Sequence, residues 1–408
     1  MAIRKSLIGE GRTRIAVRYL PFARNGSIAM PVSVALVLSG GGAKGEFQVG
    51  FLEALDEARL DLQFCLFTGV SVGALNATCL AQYPDFSEGV RSLRAVWDGI
   101  EHNDQVYKSL IPGSPEGLLN RIRLLLALPK LLKRPSLYDA APLRKLIEAS
   151  VAWDRLADSA RHGCVWAVGV TSLTDGQYYL ISNDERFVRV GQERYKGALA
   201  LTLEQGRPGS IPDHVVDFVL ASASMPTMFP PVEVGGHLLV DGGLRDVTPL
   251  SAPFLAARHE ICRPELILVV NASPRETPPW DGPRPPRITD IASRGTEIMV
   301  NEIIRNDVEV AEALNELARS SPTGPPLRLP IVVVWPDTTF GLEALNFGQV
   351  SLRRRLREHG RMKGRQLVDR FRSFLRAQGL LEEGDVRSWR AWIEVSGPRA
   401  DATLTVHV

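Results

Sequence analysis

Two short apolar runs in this chain each end in a glycine-rich turn that leads directly into a helical pattern. The first run, V-S-V-A-L-V-L from Val32 to Leu38, is typical of a strand buried on both faces of a parallel sheet. Three glycines follow it, and after Lys44 the apolar residues recur at helical spacing. The same order of strand, turn and helix recurs at Gln63–Phe67, Gly69–Gly73 and Ala74–Gln82. This alternation predicts an α/β fold of three layers, with helices on both faces of a mainly parallel central sheet.

Further along the chain, other apolar runs extend the predicted sheet. Cys164–Val170 and Gln177–Ile181 are joined through T-D-G-Q and predict a β-hairpin. Two more short strands are predicted at Leu266–Val270 and Ile331–Trp335. Two proline-rich segments predict surface loops inside the domain, at Ser273–Pro286 and Ser320–Pro330.

The chain divides into three predicted regions. Residues 1–30 carry six arginines and lysines but no continuous apolar run, so we expect a basic arm and not a secretory signal. Residues 31–335 form the predicted α/β domain, and residues 336–408 form a C-terminal helical extension. In this extension, Ser351–Arg376 predicts a basic helix whose charges face solvent. The last apolar segments, Trp392–Ser396 and Thr403–Val408, are compatible with a terminal hairpin.

Composition limits the classes of function. The chain has 408 residues, of which 45% are hydrophobic, which is enough for a large globular core. A formal net charge of +2 argues against a nucleic-acid partner. The four cysteines lie far apart without a C-x-x-C pair, which predicts neither a metal site nor a disulfide framework. No apolar run approaches about eighteen residues, so we expect a cytoplasmic protein that is at most peripheral at a membrane.

The first glycine turn, L-S-G-G-G-A-K-G-E, admits three interpretations. It matches G-x-G-x-x-G at Gly40, Gly42 and Gly45, as in a dinucleotide-binding turn, but the acidic residue at the expected distance, Asp61, precedes the second strand. A glycine turn at a helix N-terminus can instead direct free backbone N–H groups at the oxyanion of a tetrahedral intermediate. The third interpretation is a purely structural turn. We favour the oxyanion interpretation and expect no bound cofactor.

The second turn, F-T-G-V-S-V-G-A-L-N-A, brackets one serine with two glycines. In a nucleophile elbow, Gly69 and Gly73 would remove side chains that collide with the neighbouring strand and helix, and Ser71 would protrude from the turn. G-x-S-x-G alone is a weak signal, because a polar residue in an ordinary strand-to-helix turn has the same pattern.

The third motif is L-L-V-D-G-G-L-R-D, Leu238 to Asp246. An apolar strand here ends in Asp241, followed by Gly242 and Gly243, so the carboxylate is expected at the end of the sheet. An isolated D-G-G is more often an Asx-turn. A carboxylate is nevertheless the base that a serine elbow and an oxyanion-type turn in the same chain still require.

These motifs, in this order, resemble those of the patatin-like phospholipases. The segment A-S-A-S-M-P-T-M-F-P-P, Ala221–Pro231, is similar to the one that precedes the family's aspartate strand. The resemblance covers about Val34–Val247 and implies a patatin-like three-layer fold. It implies nothing for the first thirty residues or for the region after Asn271.

The resemblance also implies a set of roles. Ser71 would be the nucleophile and Asp241 the general base, which makes a histidine unnecessary. The oxyanion hole would be formed by loop residues Gly40, Gly41, Gly42 and Lys44, and the turns would be shaped by Gly45, Gly69, Gly73, Gly242 and Gly243. Asp241 would accept the Ser71 proton, Ser71 would attack a lipid ester carbonyl, and water would release the acyl group. Because a free carboxylate is a weak base, such a site should be partly dry.

Two other classes of function remain open at this stage. A conventional hydrolase triad in the order Ser, Asp, His would take its histidine from His259, His359 or His407, although none of them lies in a motif. The other class is a lipid-binding protein without catalytic activity.

The segment Gly117–Arg134 has leucines on one helical face and several basic residues, which is compatible with a lid that contacts an anionic membrane transiently. An ordinary helix packed on the core fits the same pattern. The sequence does not predict an oligomeric state.

Overall fold

The structure is a computed structural model that describes residues 31–110, 133–184, 186–187, 211–280, 282–320, 329–377 and 405–407. The described strands are β1 (Val32–Leu38), β2 (Leu62–Gly69), β3 (Lys108–Ser109), β4 (Tyr138–Asp139), β5 (Val165–Ser172), β6 (Tyr178–Ser182), β7 (Val232–Val234), β8 (His237–Asp241), β9 (Leu266–Val270), β10 (Ile331–Val334) and β11 (Thr405–His407). The described α-helices are α1 (Glu46–Glu57), α2 (Val72–Ala81), α3 (Phe86–Asp98), α4 (Ala141–Ser150), α5 (Trp153–Arg161), α6 (Ile211–Ser222), α7 (Ser251–Arg258), α8 (Ile288–Ser320) and α9 (Val350–Ala377). Within these ranges, no helix is both long and apolar enough to cross a membrane.

Nine of the described strands form one sheet, in the order β11-β10-β9-β1-β2-β5-β8-β7, with β6 paired to β5. The pairs from β11 to β5 are parallel, whereas β6 and β8 run antiparallel to β5 and β7 runs antiparallel to β8. The predicted α/β fold with a mainly parallel sheet is therefore confirmed. The β5–β6 hairpin is confirmed as well.

The side chains of β1 show how the three layers meet. Val34, Leu36 and Leu38 belong to an apolar cluster that includes residues of α1, α2, α3 and α9. Ala35 and Val37 belong to a second cluster, on the α7 and α8 side. All five side chains are fully buried. Because burial of each large aliphatic side chain contributes about 1.5–3 kcal/mol, this strand anchors both cores, as its apolar sequence predicted.

Strand register brings three segments of the chain to one edge of the sheet. Leu38 pairs with Gly69 at the ends of β1 and β2, so the first glycine turn lies beside the turn that carries Ser71. In β8, Asp241 pairs with Val170, which lies two residues beyond the partner of Gly69 in β5. Because β8 is antiparallel to β5, it begins beyond this edge and runs inward, and its last residue, Asp241, lies at the edge.

The hairpin from β7 to β8 sets the position of that strand end. Val234 pairs with His237 across a loop of two residues, Gly235 and Gly236. Both glycines have positive φ, 57° and 81°. Positive φ at both central residues is the conformation of a type I′ turn, which matches the twist of the two strands.

The C-terminal region belongs to the same core. A Cβ on Gly50 of α1 would lie 1.9 Å from the carbonyl oxygen of Arg357 in α9, and a Cβ on Gly360 would lie 2.1 Å from the carbonyl oxygen of Phe47. Glycines on both helices therefore allow the two backbones to touch. Beyond α9, Thr405–His407 pair in parallel with Ile331–Val333 and extend the sheet.

The prediction of a helix over Ser351–Arg376 is confirmed, but the expectation that its charges face solvent is wrong for three arginines. Arg353 and Arg357 both form ion pairs with Glu46 of α1, and Arg361 pairs with Glu53. These arginines occur every four residues, so they share the face of α9 that packs on α1.

Several sequence interpretations fall on residues outside the described ranges. These include the basic arm (residues 1–30), most of the segment Gly117–Arg134, and residues 321–328 of the second proline-rich loop. Of the terminal hairpin, Trp392–Ser396 lies outside as well, so the hairpin stays a prediction. In the first proline-rich loop, the described residues between Ser273 and Pro286 form no helix or strand. Residue 281 of this loop is not described.

Candidate active site

Ser71 lies in a strained turn between β2 and α2. Its φ is 57° and its ψ is −128°, a region that L-residues rarely adopt. A Cβ on Gly69 would lie 2.3 Å from the carbonyl oxygen of Gly73, and a Cβ on Gly73 would lie 2.1 Å from the carbonyl oxygen of Leu38. Both positions therefore require glycine, and the turn has the form of a nucleophile elbow.

Two serines, Ser222 at the end of α6 and Ser224 just after it, hold the backbone on both sides of the site. The Ser71 N–H donates to Ser222 Oγ over 3.0 Å, and Ser222 Oγ–H donates to the Gly169 carbonyl over 2.6 Å. Two residues later, the Ser224 carbonyl accepts the Asp241 N–H over 2.9 Å. Sequence reasoning noted the A-S-A-S segment only as a resemblance and assigned these serines no role. The two serines fix the backbone of Ser71 and Asp241 relative to each other.

Asp241 ends β8 with its carboxyl group facing Ser71. Burial raises the pKa of Asp241 to about 6, while the Gly243 N–H and the Ser71 side chain, both hydrogen-bonded to the carboxyl, act in the opposite direction. The Gly243 N–H donates to Asp241 Oδ1 over 2.8 Å. Such a carboxylate is a stronger base than a free one and is ionised at neutral pH. The predicted pair Ser71 and Asp241 is thus brought together in a largely dry environment.

The glycine loop lies next to this pair. Neither Gly41 N–H nor Gly42 N–H has an acceptor among the described residues. Gly42 has a φ of 57°, and a Cβ there would lie 2.1 Å from the carbonyl oxygen of Ala344. The same Ala344 oxygen accepts the Ala43 N–H over 2.7 Å. The loop therefore presents two free amides and is packed from behind by the segment that follows β10.

The backbone N–H groups of two members of the predicted oxyanion set are already hydrogen-bonded within the described residues. The Gly40 N–H donates to the Val247 carbonyl over 3.1 Å, and the Lys44 N–H donates to the Gly41 carbonyl over 3.2 Å. The Lys44 ammonium lies 3.9 Å from Glu297, and burial lowers its pKa. A Cβ on Gly40 would lie 3.2 Å from the Ser71 Cβ. Gly40 therefore keeps space for the serine, and Lys44 braces the loop.

The remaining motif glycines allow close backbone approaches. A Cβ on Gly45 would lie 2.6 Å from a Val72 methyl group, and a Cβ on Gly242 would lie 2.5 Å from the Gly169 carbonyl oxygen. Gly243 supplies the N–H that binds Asp241. These residues shape the turns around Ser71 and Asp241.

Neither His259 nor His359 contacts Ser71 or Asp241 in the described part of the chain. His359 Nε2 accepts the Asp337 N–H over 2.9 Å, and burial lowers the pKa of its imidazole. His259 is exposed at the end of α7, and His407 lies in β11, at the opposite end of the sheet order from β7 and β8.

The dinucleotide interpretation has no support in the geometry. Asp61 precedes β2, where its carbonyl accepts the Val32 N–H at the start of β1. It therefore lies at the end of these strands opposite the glycine turn. No group of three or more His, Cys, Asp or Glu side chains in the described ranges is arranged to hold a metal ion.

Comparisons with known proteins agree with the motifs. A family model of the patatin-like phospholipases matches residues 36–254. No curated protein matches the sequence significantly.

Several solved structures are similar to this chain. VipD from Legionella pneumophila is 15% identical with a TM-score of 0.37, and the match covers 84% of this chain and 68% of VipD. Human GIVD cytosolic phospholipase A2, in complex with methyl gamma-linolenyl fluorophosphonate, is 17% identical with a TM-score of 0.27. This match covers 60% of this chain and 41% of the phospholipase. The type III effector ExoU is 14% identical with a TM-score of 0.30, and the match covers 87% of this chain and 54% of ExoU. The chain thus spans less than two thirds of the last two proteins, and TM-scores this low carry no conclusion about function.

Proposed function

This chain belongs to the patatin-like phospholipase family, and on that premise we propose that it hydrolyses carboxylic ester bonds of phospholipids or related lipids through a dyad of Ser71 and Asp241. The observation that carries the proposal is the contact between a serine in a strained elbow and a buried aspartate whose pKa is raised to about 6. Strain of this kind persists where the surrounding structure enforces it, and it is concentrated at functional sites.

In the proposed reaction, the Asp241 carboxylate accepts the Ser71 hydroxyl proton as the oxygen attacks the ester carbonyl. The Gly41 and Gly42 amides donate to the oxyanion of the tetrahedral intermediate. The intermediate collapses to an acyl-enzyme, and Asp241 passes the proton taken from Ser71 to the leaving alkoxide, which departs as the alcohol. Asp241, ionised again, then accepts a proton from a water molecule that attacks the acyl carbonyl, and it returns this proton to the Ser71 oxygen as the fatty acid leaves. No step requires a metal or an organic cofactor.

Burial explains why a dyad can suffice. An aspartate in water is a weak base for a hydroxyl group, whereas desolvation raises the free energy of its ionised form and favours proton transfer. Ser222 and Ser224 reduce the reorganisation needed, because each one binds the backbone of one reacting residue.

The direct test is labelling with an alkyl fluorophosphonate, which reacts with activated serines. We expect one modified residue, Ser71, and no labelling of Ser71→Ala, while the exposed control variant Ser351→Ala should label like the parent protein. Products released from phosphatidylcholine vesicles, phosphatidylglycerol vesicles and triacylglycerol emulsions then identify the substrate class. Labelling that persists in Ser71→Ala would refute the assignment of the nucleophile.

Two other functions are distinguishable by the same assays. A triad predicts that replacement of His259, His359 and His407 abolishes hydrolysis, whereas the dyad predicts that a folded triple variant keeps most of it. A lipid-binding protein without catalytic activity would bind vesicles but would not react with the fluorophosphonate. The contacts of His359 with Asp337 favour the dyad.

The membrane contact is a separate part of the proposal. It rests on the sequence of Gly117–Arg134, of which Lys133 and Arg134 lie in a described range and are exposed. Each basic residue near an anionic surface contributes about 1 kcal/mol, and this term weakens with salt. Replacement of Lys130, Lys133 and Arg134 by glutamate should reduce turnover of anionic vesicles but not of a short soluble ester. Unchanged vesicle turnover would exclude the contact.

A further inference from the structure

A carboxylate of α8 holds the loop that connects Asp241 to α7. Asp307 Oδ2 accepts two consecutive backbone amides, the Val247 N–H over 3.1 Å and the Thr248 N–H over 3.0 Å. The carbonyl of Val247 in turn accepts the Gly40 N–H over 3.1 Å. One side-chain oxygen is thereby connected, through a single residue, to the first glycine of the loop beside Ser71.

The position of Gly40 matters for the two free amides that follow it. A Cβ on Gly40 would be 3.2 Å from the Ser71 Cβ and 3.5 Å from a Val247 methyl group, so there is little room for this residue to shift. Gly41 and Gly42 continue directly from it. A change in the Val247 backbone would therefore change the direction in which the Gly41 and Gly42 amides point.

A second carboxyl group, that of Asp246, favours the ionised form of Asp307. Burial and the neighbouring Asp307 raise the pKa of Asp246 well above its ordinary value. Burial also raises the pKa of Asp307, to about 6, and the hydrogen bonds from the Thr248 and Val247 amides oppose this effect. Of the two carboxyl groups, Asp307 is therefore the one that ionises first, and Asp246 is the one that retains its proton to higher pH. A charged acceptor forms stronger hydrogen bonds to backbone amides than a neutral one does.

A second contact from α8 reaches the other end of the glycine loop. Glu297 lies 3.9 Å from the Lys44 ammonium and is also bound by Arg294 over 2.9 Å. Asp307 lies almost three helical turns further along α8. The long helix thus contacts the loop at Lys44 and, through Val247, at Gly40.

We propose that Asp307 is a positioning residue for the oxyanion hole: it holds the Val247–Thr248 backbone so that the Val247 carbonyl fixes Gly40 and directs the amides of Gly41 and Gly42. This inference rests on the proposed function of those amides. It assigns to α8, which lies outside the part of the chain matched by the family model, a role in catalysis.

The test compares Asp307→Ala, Asp307→Asn and Asp307→Glu with the parent protein and with Glu302→Ala, an exposed control on the same helix. The alanine variant has no acceptor, the asparagine variant keeps a neutral oxygen at the same place, and the glutamate variant keeps the charge but displaces it by one methylene group. For each protein, three quantities are measured: kcat and KM for a short soluble ester, the rate of inactivation by a fluorophosphonate, and hydrogen exchange of the peptide that contains Gly40.

We expect Asp307→Ala to lower kcat and the inactivation rate by at least about tenfold with KM within about twofold, because loss of oxyanion stabilisation acts on the transition state. Exchange at Gly40 should become at least about tenfold faster. Asp307→Asn should retain most of the activity, Asp307→Glu should lose it, and Glu302→Ala should resemble the parent. If the alanine variant does not fold, the asparagine and glutamate variants still give the comparison.

Three results would overturn the inference. These are a folded Asp307→Ala variant that reacts at the parent rate, an asparagine variant as slow as the glutamate variant, or a Gly40 amide that exchanges equally in all the proteins. An inactive parent that does not react with the fluorophosphonate would refute the proposed function instead, and the exchange measurement would still report whether Asp307 positions the loop.

Discussion

Arg353 of α9 and Glu46 of α1 form a buried ion pair, with Arg353 Nη1 3.0 Å from Glu46 Oε2 and both side chains 3% exposed. The same guanidinium binds the carbonyls of Trp97 and Ile100 at the end of α3. Burial raises the pKa of Glu46, and its two arginine partners, Arg353 and Arg357, oppose that effect. The pair therefore joins three helices at a point where an unpaired charge would be costly.

Removal of Arg353 should destabilise the protein strongly. We expect Arg353→Met to lower the free energy of unfolding by about 3–5 kcal/mol, because Glu46 would keep a buried charge with one partner fewer. The double variant Glu46→Gln, Arg353→Met should recover part of this loss. Denaturant unfolding measures both effects, and the exposed neighbour provides the control Arg354→Met. A single variant as stable as that control would show that the ion pair contributes little.

Asp241→Asn should abolish hydrolysis and stabilise the protein at the same time. The pKa of Asp241 is raised from 3.8 to about 6, so ionisation of the folded protein above pH 6 costs on the order of 2–3 kcal/mol relative to the unfolded chain. Asparagine does not ionise and can still accept the Gly243 N–H. The variant should thus be more stable than the parent at pH 8, and the difference should vanish as the pH falls from 6 towards 4. Thermal unfolding across this pH range measures it.

The same carboxyl group sets the expected pH dependence of the rate. Only the ionised form of Asp241 accepts the Ser71 proton, so kcat/KM for a soluble ester should rise with pH to a plateau, with a midpoint near 6. If a histidine governed the profile instead, changes in the surroundings of Asp241 would leave the midpoint of kcat/KM unchanged. Replacement of His259, which is exposed at the end of α7, provides a control that should leave the midpoint unchanged.

Ser71→Gly and Ser71→Ala should both be inactive but should differ in stability. The φ of 57° and ψ of −128° at this position are strained for any residue with a Cβ, at a cost of about 1–3 kcal/mol. Glycine relieves this strain, whereas alanine does not. We expect Ser71→Gly to unfold at higher denaturant concentration than Ser71→Ala, after allowance for the greater entropy of glycine in the unfolded chain. Equal midpoints for the two variants would argue against stored strain in the elbow.

Gly40→Ala should reduce activity without unfolding the protein. The new methyl group would lie 3.2 Å from the Ser71 Cβ, a distance at which one of the two groups must shift by a few tenths of an ångström. Because catalysis depends on the placement of the serine, we expect kcat to fall about tenfold or more. Gly295→Ala on α8 is the matched control, since no atom lies within 4 Å of its added Cβ. That control should keep full activity and gain about 0.4–1 kcal/mol of stability.

Local patterns predicted much of this architecture. β1, β2 and the glycine turns were evident because each is encoded by consecutive residues, and the serine elbow and Asp241 stood out through their neighbouring glycines. The antiparallel approach of β8 was not predictable in the same way. Strand direction depends on the path of the chain through space, which a run of apolar residues does not specify.

The contacts that hold the site were less visible in the sequence. Ser222 and Ser224 act through single hydrogen bonds to distant backbone groups, and serine is common enough that its spacing carries no signal. Gly40 was assigned a donor role although its amide binds Val247, because a glycine repeat does not indicate which amides remain free. The arginines of α9 that contact α1 were predicted to face solvent for a related reason. Their spacing of four residues marks one face, but their acidic partners lie some 300 positions earlier in the chain.

The two-residue turn between β7 and β8 restricts how the length of this part of the chain can change in evolution. Side chains of a strand alternate between its faces, so one residue inserted or deleted between Gly236 and Asp241 would rotate the carboxylate to the other side of the sheet. Val234 and His237 also leave no slack in the hairpin that would absorb the change. Length variation in this part of the chain should therefore be far less tolerated than substitution, and natural variants with an altered β8 length should be inactive.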